Sequence, residues 1–313
     1  MSDPDPWSLP SARAALRGAT DLALRGGALL RGLERIGPDA PARLRDELTG
    51  LGLGLRVEVG AEDMRPAEAL RILFGDGGVE AIAGDHGLGG RVAIVPAGEA
   101  WDAWANVARR FHAARAAADD GPALLVLVPA AAPAPMAPSL DWAAGGFGRV
   151  DRTIWALDHL SESDPPLAEL AEALAVELGG QDLRLVARIA GAPRERLIRP
   201  ELLFEGVAAA PTGRAWREAL WRAQTRALFP WLEEQRQRVV ADCADMLRLD
   251  DRARALGVRD VRGLELGALL HQLGRDLSRT QRDRLEAMRD LRNAIAHGAP
   301  CPFAALDVAL PRG

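Results

Sequence analysis

The sequence predicts an α/β N-terminal domain over residues 1–210, a mostly parallel sheet with helices, followed by an all-α helical bundle over residues 211–313. Three observations carry this reading. Ala123-Leu-Leu-Val-Leu-Val-Pro129 is an unbroken apolar run, the mark of a strand covered on both faces as in parallel sheets. A long helical pattern lies before it, and a further strand pattern before that, so strand, helix and buried strand follow in the order of a parallel crossover. After residue 213 the apolar residues recur only at helical spacing.

Taken in order, residues 11–36 read as a helix interrupted at Gly26-Gly27 and ended at Gly37-Pro38, with a second helix over 41–48. Leu55-Arg-Val-Glu-Val59 alternates and reads as a strand. Pro66 to Phe74 reads as a helix with proline at its start. Gly75-Asp-Gly-Gly78 and the glycine-rich 84–90 stretch read as turns. The latter lacks a Lys-Ser/Thr ending and precedes a strand, so it is no phosphate loop. Arg91-Val-Ala-Ile-Val-Pro96 is a strand, and Ala100 to Ala118 a helix with Trp101, Trp104, Val107 and Phe111 on one side. Residues 130–146 read as a loop and Gly148 to Leu157 as one more strand, containing Asp151. Helices follow at 165–178, 181–190 and 193–205, and the domain boundary is placed near Ala208 to Gly213.

The C-terminal part opens with a long helix from Arg214 to Leu247, with a break or kink expected at Pro230. Trp216, Trp221 and Trp231 on it read as core. Arg236, Arg238 and Arg248 read as a solvated face. Gly263 to Leu273 is an apolar helix whose His271 reads as a core or interface residue, and Pro302 to Leu310 is a short tail.

Composition excludes several function classes. The chain has 313 residues, 48% of them apolar, enough for two ordinary domains. No apolar run is long enough to span a membrane. The acidic, polar start Met-Ser-Asp-Pro-Asp-Pro-Trp is unlike a signal peptide. Two cysteines, Cys243 and Cys301, have no metal-ligand spacing. The expectation is a cytoplasmic protein with free thiols, no metal and no cofactor. The chain has no lysine and no tyrosine. No P-loop lysine, Schiff-base lysine or kinase-type lysine therefore exists in it. Charge is uneven: residues 1–213 carry 21 Arg against 30 acids, and residues 214–313 carry 18 Arg against 14 acids. The basic excess of the C-terminal part suits a polyanionic ligand.

One stretch concentrates chemistry. From Ser278 the chain reads as an amphipathic helix with Leu285, Met288, Leu291 and Ile295 on its stripe, ended by Gly298 and Pro300. Asn293 and His297 are four residues apart and project from one side, beside the stripe. Arg289 lies a turn earlier on that side, and Arg292 between polar face and stripe. Arginine, asparagine and histidine are thus gathered at one helix end. Histidine exchanges protons near neutral pH. Arginine is a fixed cation whose fork matches phosphate oxygens.

Arg292-Asn293-Ala294-Ile295-Ala296-His297-Gly298, closing a helix in an all-helical segment, resembles the signature of the HEPN superfamily: Arg, four to six residues, then His, often with a polar residue directly after the Arg. The match covers roughly the last hundred residues. The resemblance implies that Arg292, Asn293 and His297 form the active site of a metal-independent endoribonuclease shared across a homodimer. Arg289 and Arg282 on the same helix are the expected RNA contacts. RNA, tRNA among it, is the implied substrate, and a bacterial toxin or antiphage-defence effector the implied role. The block from 91 to 205 resembles, in the order of its elements, a P-loop ATPase module of bacterial conflict systems without its Walker motifs. This implies a sensing or docking domain, with a partner ATPase, sensor or antitoxin protein. A competing reading is a non-catalytic HEPN-type adaptor that dimerises and docks such a partner. A small-molecule enzyme in the N-terminal domain would need a convergent polar pocket, and the sequence presents none.

Overall fold

In the computed structural model, residues 4–118, 120–133, 138–161, 164–207, 213–255 and 257–312 are described. The chain forms two compact units, Met1–Asp151 and Arg152–Gly313. The boundary expected near Ala208 to Gly213 falls within the second unit, and residues 208–212 lie outside the described residues.

The first unit is built on a five-stranded sheet, all of whose neighbouring strands are parallel. Its elements run α1 (Pro10–Leu24), β1 (Gly27–Arg31), α2 (Ala40–Gly50), β2 (Arg56–Val59), α3 (Pro66–Phe74), α4 (Val79–Ala83), β3 (Arg91–Pro96), α5 (Trp101–Ala116), β4 (Ala123–Val128), β5 (Ser139–Asp141) and α6 (Trp142–Gly145). The strand order is β2-β3-β4-β1-β5. The two apolar runs, β4 and β1, lie side by side in the middle, with Leu29 facing Val126 and Leu30 facing Leu127 in register. Trp104, Phe111, Phe74 and Leu73 pack on the sheet with Leu124 and Val126. Such burial is the principal favourable term holding the unit together.

Three expectations are corrected here. The single interrupted helix over 11–36 is a helix and then the interior strand β1. The chain leaves α1 through Gly26 and Gly27, both at positive φ. The second passes so close to β4 that a side chain would collide with the Leu124 carbonyl oxygen. The segment expected as a strand over 148–157 is α7 (Arg149–Leu157), a helix. Its Asp151 is buried and accepts hydrogen bonds from the Ser11 backbone N–H at 2.9 Å and the Gly148 backbone N–H at 2.7 Å. It thereby satisfies an otherwise orphaned donor in the first turn of α1. The segment 130–146, expected as a loop, contains β5 and α6; residues 134–137 lie outside the described residues. The 84–90 stretch is a short turn at the amino end of β3, away from the carboxyl ends where open α/β sheets bind ligands.

In the second unit the elements are α8 (Pro165–Leu178), α9 (Leu183–Ala190), α10 (Arg194–Leu197), α11 (Gly213–Asp242), α12 (Asp251–Ala255), α13 (Leu266–Leu273), α14 (Arg279–Ala296) and α15 (Phe303–Ala309). No strand occurs among its described residues. The long α11 packs along α8, and Arg222 and Arg226 on it pair with Glu177 and Glu172 at 2.9 and 2.7 Å. The expected kink is not a break, since helix continues through Pro230, at an exposed position. Arg194 holds the chain end, reaching the Pro311 carbonyl at 2.7 Å and the Asp307 carboxylate at 2.9 Å. Among the described residues no helix is long and apolar enough to cross a membrane.

Candidate functional site

The motif sits where α14 ends, and its surroundings fix that end in place. At the start of α14, Ser278 and Gln281 form a reciprocal cap: the Gln281 backbone N–H donates to the Ser278 hydroxyl, and the Ser278 backbone N–H donates to the Gln281 side-chain oxygen Oε1 at 3.0 Å. Leu285, Met288, Leu291 and Ile295 are all buried, so the apolar stripe lies where its spacing places it. At the far end His297 is the last half-helical residue. Gly298 takes φ +71°. Its N–H donates to the Ile295 carbonyl at 3.1 Å, and that of Ala299 to the Ala294 carbonyl at 2.9 Å. This double bond pattern over a left-handed glycine is the Schellman closure.

Two side chains of α11 clamp this closing turn. The Trp221 indole N–H donates to the Ile295 carbonyl oxygen at 2.9 Å. Gln224, only 1% exposed, accepts the Cys301 backbone N–H through its side-chain oxygen at 2.7 Å. The turn carrying the motif is therefore tied to α11 on both sides of Gly298. The clamp is obscured in the sequence because nothing around Trp221 distinguishes it from a core aromatic, although it is half-buried. Gln224 left a signal: it is the polar member of an apolar face formed by Leu220, Ala223, Ala227 and Leu228.

The motif side chains themselves divide. Asn293 and His297 are exposed, share the last turn, and take no side-chain hydrogen bond from any described residue. Arg292 is half-buried, and its guanidinium meets the Glu265 carboxylate at 3.1 Å. Glu265 stands at the residue preceding α13, and sequence reasoning missed it, because nothing local couples it to position 292. Arg289 turns to its neighbour Asp290 at 2.9 Å. Arg282 is half-buried, and its Nε lacks a partner among the described residues. One chain thus presents a single histidine, a single asparagine and a carboxylate-held arginine at one surface.

The arginines of α11 differ from a uniformly solvated face. Arg238 is exposed, but the side chain of Arg236 is only 13% accessible. It is bound to Glu233 and donates to the Arg262 and Leu264 carbonyl oxygens. Its hydrogen bonds to Glu233 hold its pKa above the usual arginine value against the opposing cost of burial, with the charges of Glu233 and Glu265 adding to them. The same pairing holds the Glu233 carboxyl down at about 2. His271, expected in the core or an interface, is exposed on α13. Of the three tryptophans, Trp231 is buried; Trp216 is half-buried and meets Phe204 edge-on at 5.1 Å.

Chemically, an unpartnered imidazole, a neighbouring amide and a guanidinium supply proton exchange, orientation and anion stabilisation at one place. Among the described residues no group of His, Cys, Asp or Glu is placed to hold a metal ion. Comparison with protein-family models, with curated proteins and with solved structures gives no match to this chain.

Proposed function

We propose that the protein is a metal-independent endoribonuclease of the HEPN type, with Arg292, Asn293 and His297 as its catalytic residues. The second unit is read as a HEPN-like helical bundle. The observation that carries the proposal is the state of Asn293 and His297: both are exposed on a rigidly closed turn, and neither serves the fold through a side-chain hydrogen bond. The backbone of the turn is fixed by its own bonds and by Trp221 and Gln224, and the two side chains, without a partner among the described residues, are available for an external one.

The chemistry follows from the residue types. A base removes the proton from a ribose 2′-hydroxyl, whose oxygen then attacks the adjacent phosphorus. The bond to the 5′-oxygen breaks, an acid returns a proton to that oxygen, and the products are a 2′,3′-cyclic phosphate and a 5′-hydroxyl. His297 serves as base or acid. Arg292, released from Glu265, neutralises the charge that grows on the phosphorane oxygens. Asn293 orients the imidazole or a phosphate oxygen. A two-fold homodimer supplies a second His297, so that base and acid are separate groups. Arg289 and Arg282 extend the contact along the RNA. In this account the first unit restrains the nuclease or couples it to a partner ATPase, sensor or antitoxin protein. With no lysine in the chain, it does so without P-loop phosphate chemistry. A cytoplasmic toxin or antiphage-defence effector acting on RNA such as tRNA is the matching role.

The test is incubation of the full-length protein with total RNA and tRNA in EDTA, beside His297→Ala and Arg292→Ala. Cleavage by the wild type alone is the expected result. Cleavage retained in either variant, or abolished by EDTA, contradicts the assignment. The Arg292–Glu265 pair favours a second reading, in which the motif arginine is a structural tie in a non-catalytic adaptor. That reading predicts that Arg292→Ala lowers the melting temperature by as much as Glu265→Ala does.

A further inference from the structure

A second cavity-bearing surface lies close along the chain to the residue that holds Arg292. Where α11 ends, a cavity of about 620 Å³ is lined by Gln237, Val240, Ala241, Ala244, Val261 and Arg262, with Arg236 completing the wall. Its volume falls in the range of small-molecule sites. Four of those side chains, Val240, Ala241, Ala244 and Val261, are apolar and short. The remaining three are an amide and two guanidinium groups, and no carboxylate is among the lining residues. The two arginines are not equivalent. Arg236 spends its donors on Glu233 and on the carbonyls of Arg262 and Leu264, and so builds the wall. Arg262 is exposed and has no ion-pair partner among the described residues. Gln237 donates to Glu233 through its amide nitrogen, which leaves the amide oxygen to face a ligand.

An apolar lining of short side chains together with an exposed guanidinium and an amide is complementary to a heterocyclic base joined to a phosphate. The position adds direction. Arg262 is three residues before Glu265, a span of at most roughly 11 Å of chain. The intervening backbone is pinned by Arg236 at Arg262 and Leu264, at 2.6 and 3.0 Å. Glu265 in turn holds Arg292. The wall of the cavity is thus joined along the chain to the carboxylate that holds the motif arginine.

We infer that this cavity is a nucleotide subsite for single-stranded RNA: a base lies on Val240, Ala241, Ala244 and Val261, and its phosphate pairs with Arg262. The inference rests on the ribonuclease reading above and names where that substrate is gripped. The phosphate that follows competes with Glu265 for Arg292, so the carboxylate keeps the arginine placed until RNA displaces it.

The test uses the full-length protein with His297→Ala to block cleavage, and a fluorescein-labelled six-nucleotide RNA followed by anisotropy. Ala241→Glu, at an exposed position, puts a carboxylate where the base and its phosphate would lie and weakens binding by about fivefold or more. Arg262→Ala weakens it less and lowers the slope of log affinity against log salt by about 0.7. That slope change separates a phosphate contact from a structural role. Binding within twofold of the parent in both variants overturns the subsite. If Ala241→Glu lowers the melting temperature, Arg262→Ala and its salt slope decide alone. The two readings fail differently. A wild type that cleaves RNA while both variants bind normally sinks the subsite only. A parent that binds RNA through this cavity while the wild type cuts none sinks the nuclease only. An absence of both binding and cleavage removes the two together.

Discussion

Gly27→Ala tests the placement of β1 in the middle of the sheet. Gly27 has φ +109°, and a Cβ there would sit 2.1 Å from the Leu124 carbonyl oxygen and 2.6 Å from two further backbone atoms of that residue. The unfavourable φ alone costs about 1–2 kcal/mol for an alanine. The collision is with backbone, so no rotamer change relieves it, and β1 must part from β4 at this point. That forfeits the Leu124 N–H bond to the Gly26 carbonyl, at about 1 kcal/mol. It also loosens Ala28, Leu29 and Leu30, all buried. The total comes to about 3–6 kcal/mol, a large part of the roughly 5–15 kcal/mol that holds a domain together. At about 2–4 °C per kcal/mol for a unit of this size, the melting transition falls by roughly 10–20 °C. The assay is thermal and urea unfolding by circular dichroism. Gly50→Ala is the control, since it lies in α2 with nothing within 4 Å of the added carbon, and should hold or raise stability by up to about 1 kcal/mol. A Gly27→Ala protein within 1 kcal/mol of wild type would show that β1 does not lie against β4.

Two further predictions concern titrating groups. Burial pushes the Cys301 thiol up to about 12, so at pH 8 it stays neutral in the folded protein. Iodoacetamide, with mass spectrometry as readout, should label Cys243, which is half-buried, well before Cys301; equal labelling would contradict the burial. Glu233 is depressed to about 2, first by its hydrogen bonds with Arg236. Its stabilising effect is therefore present above the ordinary carboxylate value near 4.3 and is lost as pH falls toward 2. Because its side chain is 42% exposed, screening keeps the effect below about 1 kcal/mol. Glu233→Gln should flatten the stability curve between those pH values, and an unchanged curve would refute the pairing.

Much of the fold was legible because burial and period agreed. The helix from Pro66 to Phe74, the strand from Arg91 to Pro96 and the helix from Pro165 to Leu178 begin and end where their sequence signals place them. Each has an apolar pattern of one period and a proline or glycine at a boundary. The failures share a cause. β1 offers only Ala28, Leu29 and Leu30 as its apolar run, directly after a helix of the same composition. Nothing short of the partner strand β4 marks it as sheet. In α7 the period was hidden because the buried face carries Asp151 while Val150 and Ile154 are exposed; donors on the neighbouring Gly148 and the distant Ser11 hold the carboxylate inside. At the site, Arg292, Asn293 and His297 were legible as one patch because they lie on one helix. Glu265, Trp221 and Gln224 come from other helices, and residues brought together by tertiary packing leave no spacing in the sequence.

The most direct measurement is the end chemistry of RNA treated with the full-length protein in EDTA. The account predicts new fragments carrying 2′,3′-cyclic phosphate and 5′-hydroxyl ends, produced by the wild type and not by His297→Ala. Fragments with 3′-hydroxyl ends, a requirement for added metal, or the same fragments from His297→Ala would contradict it.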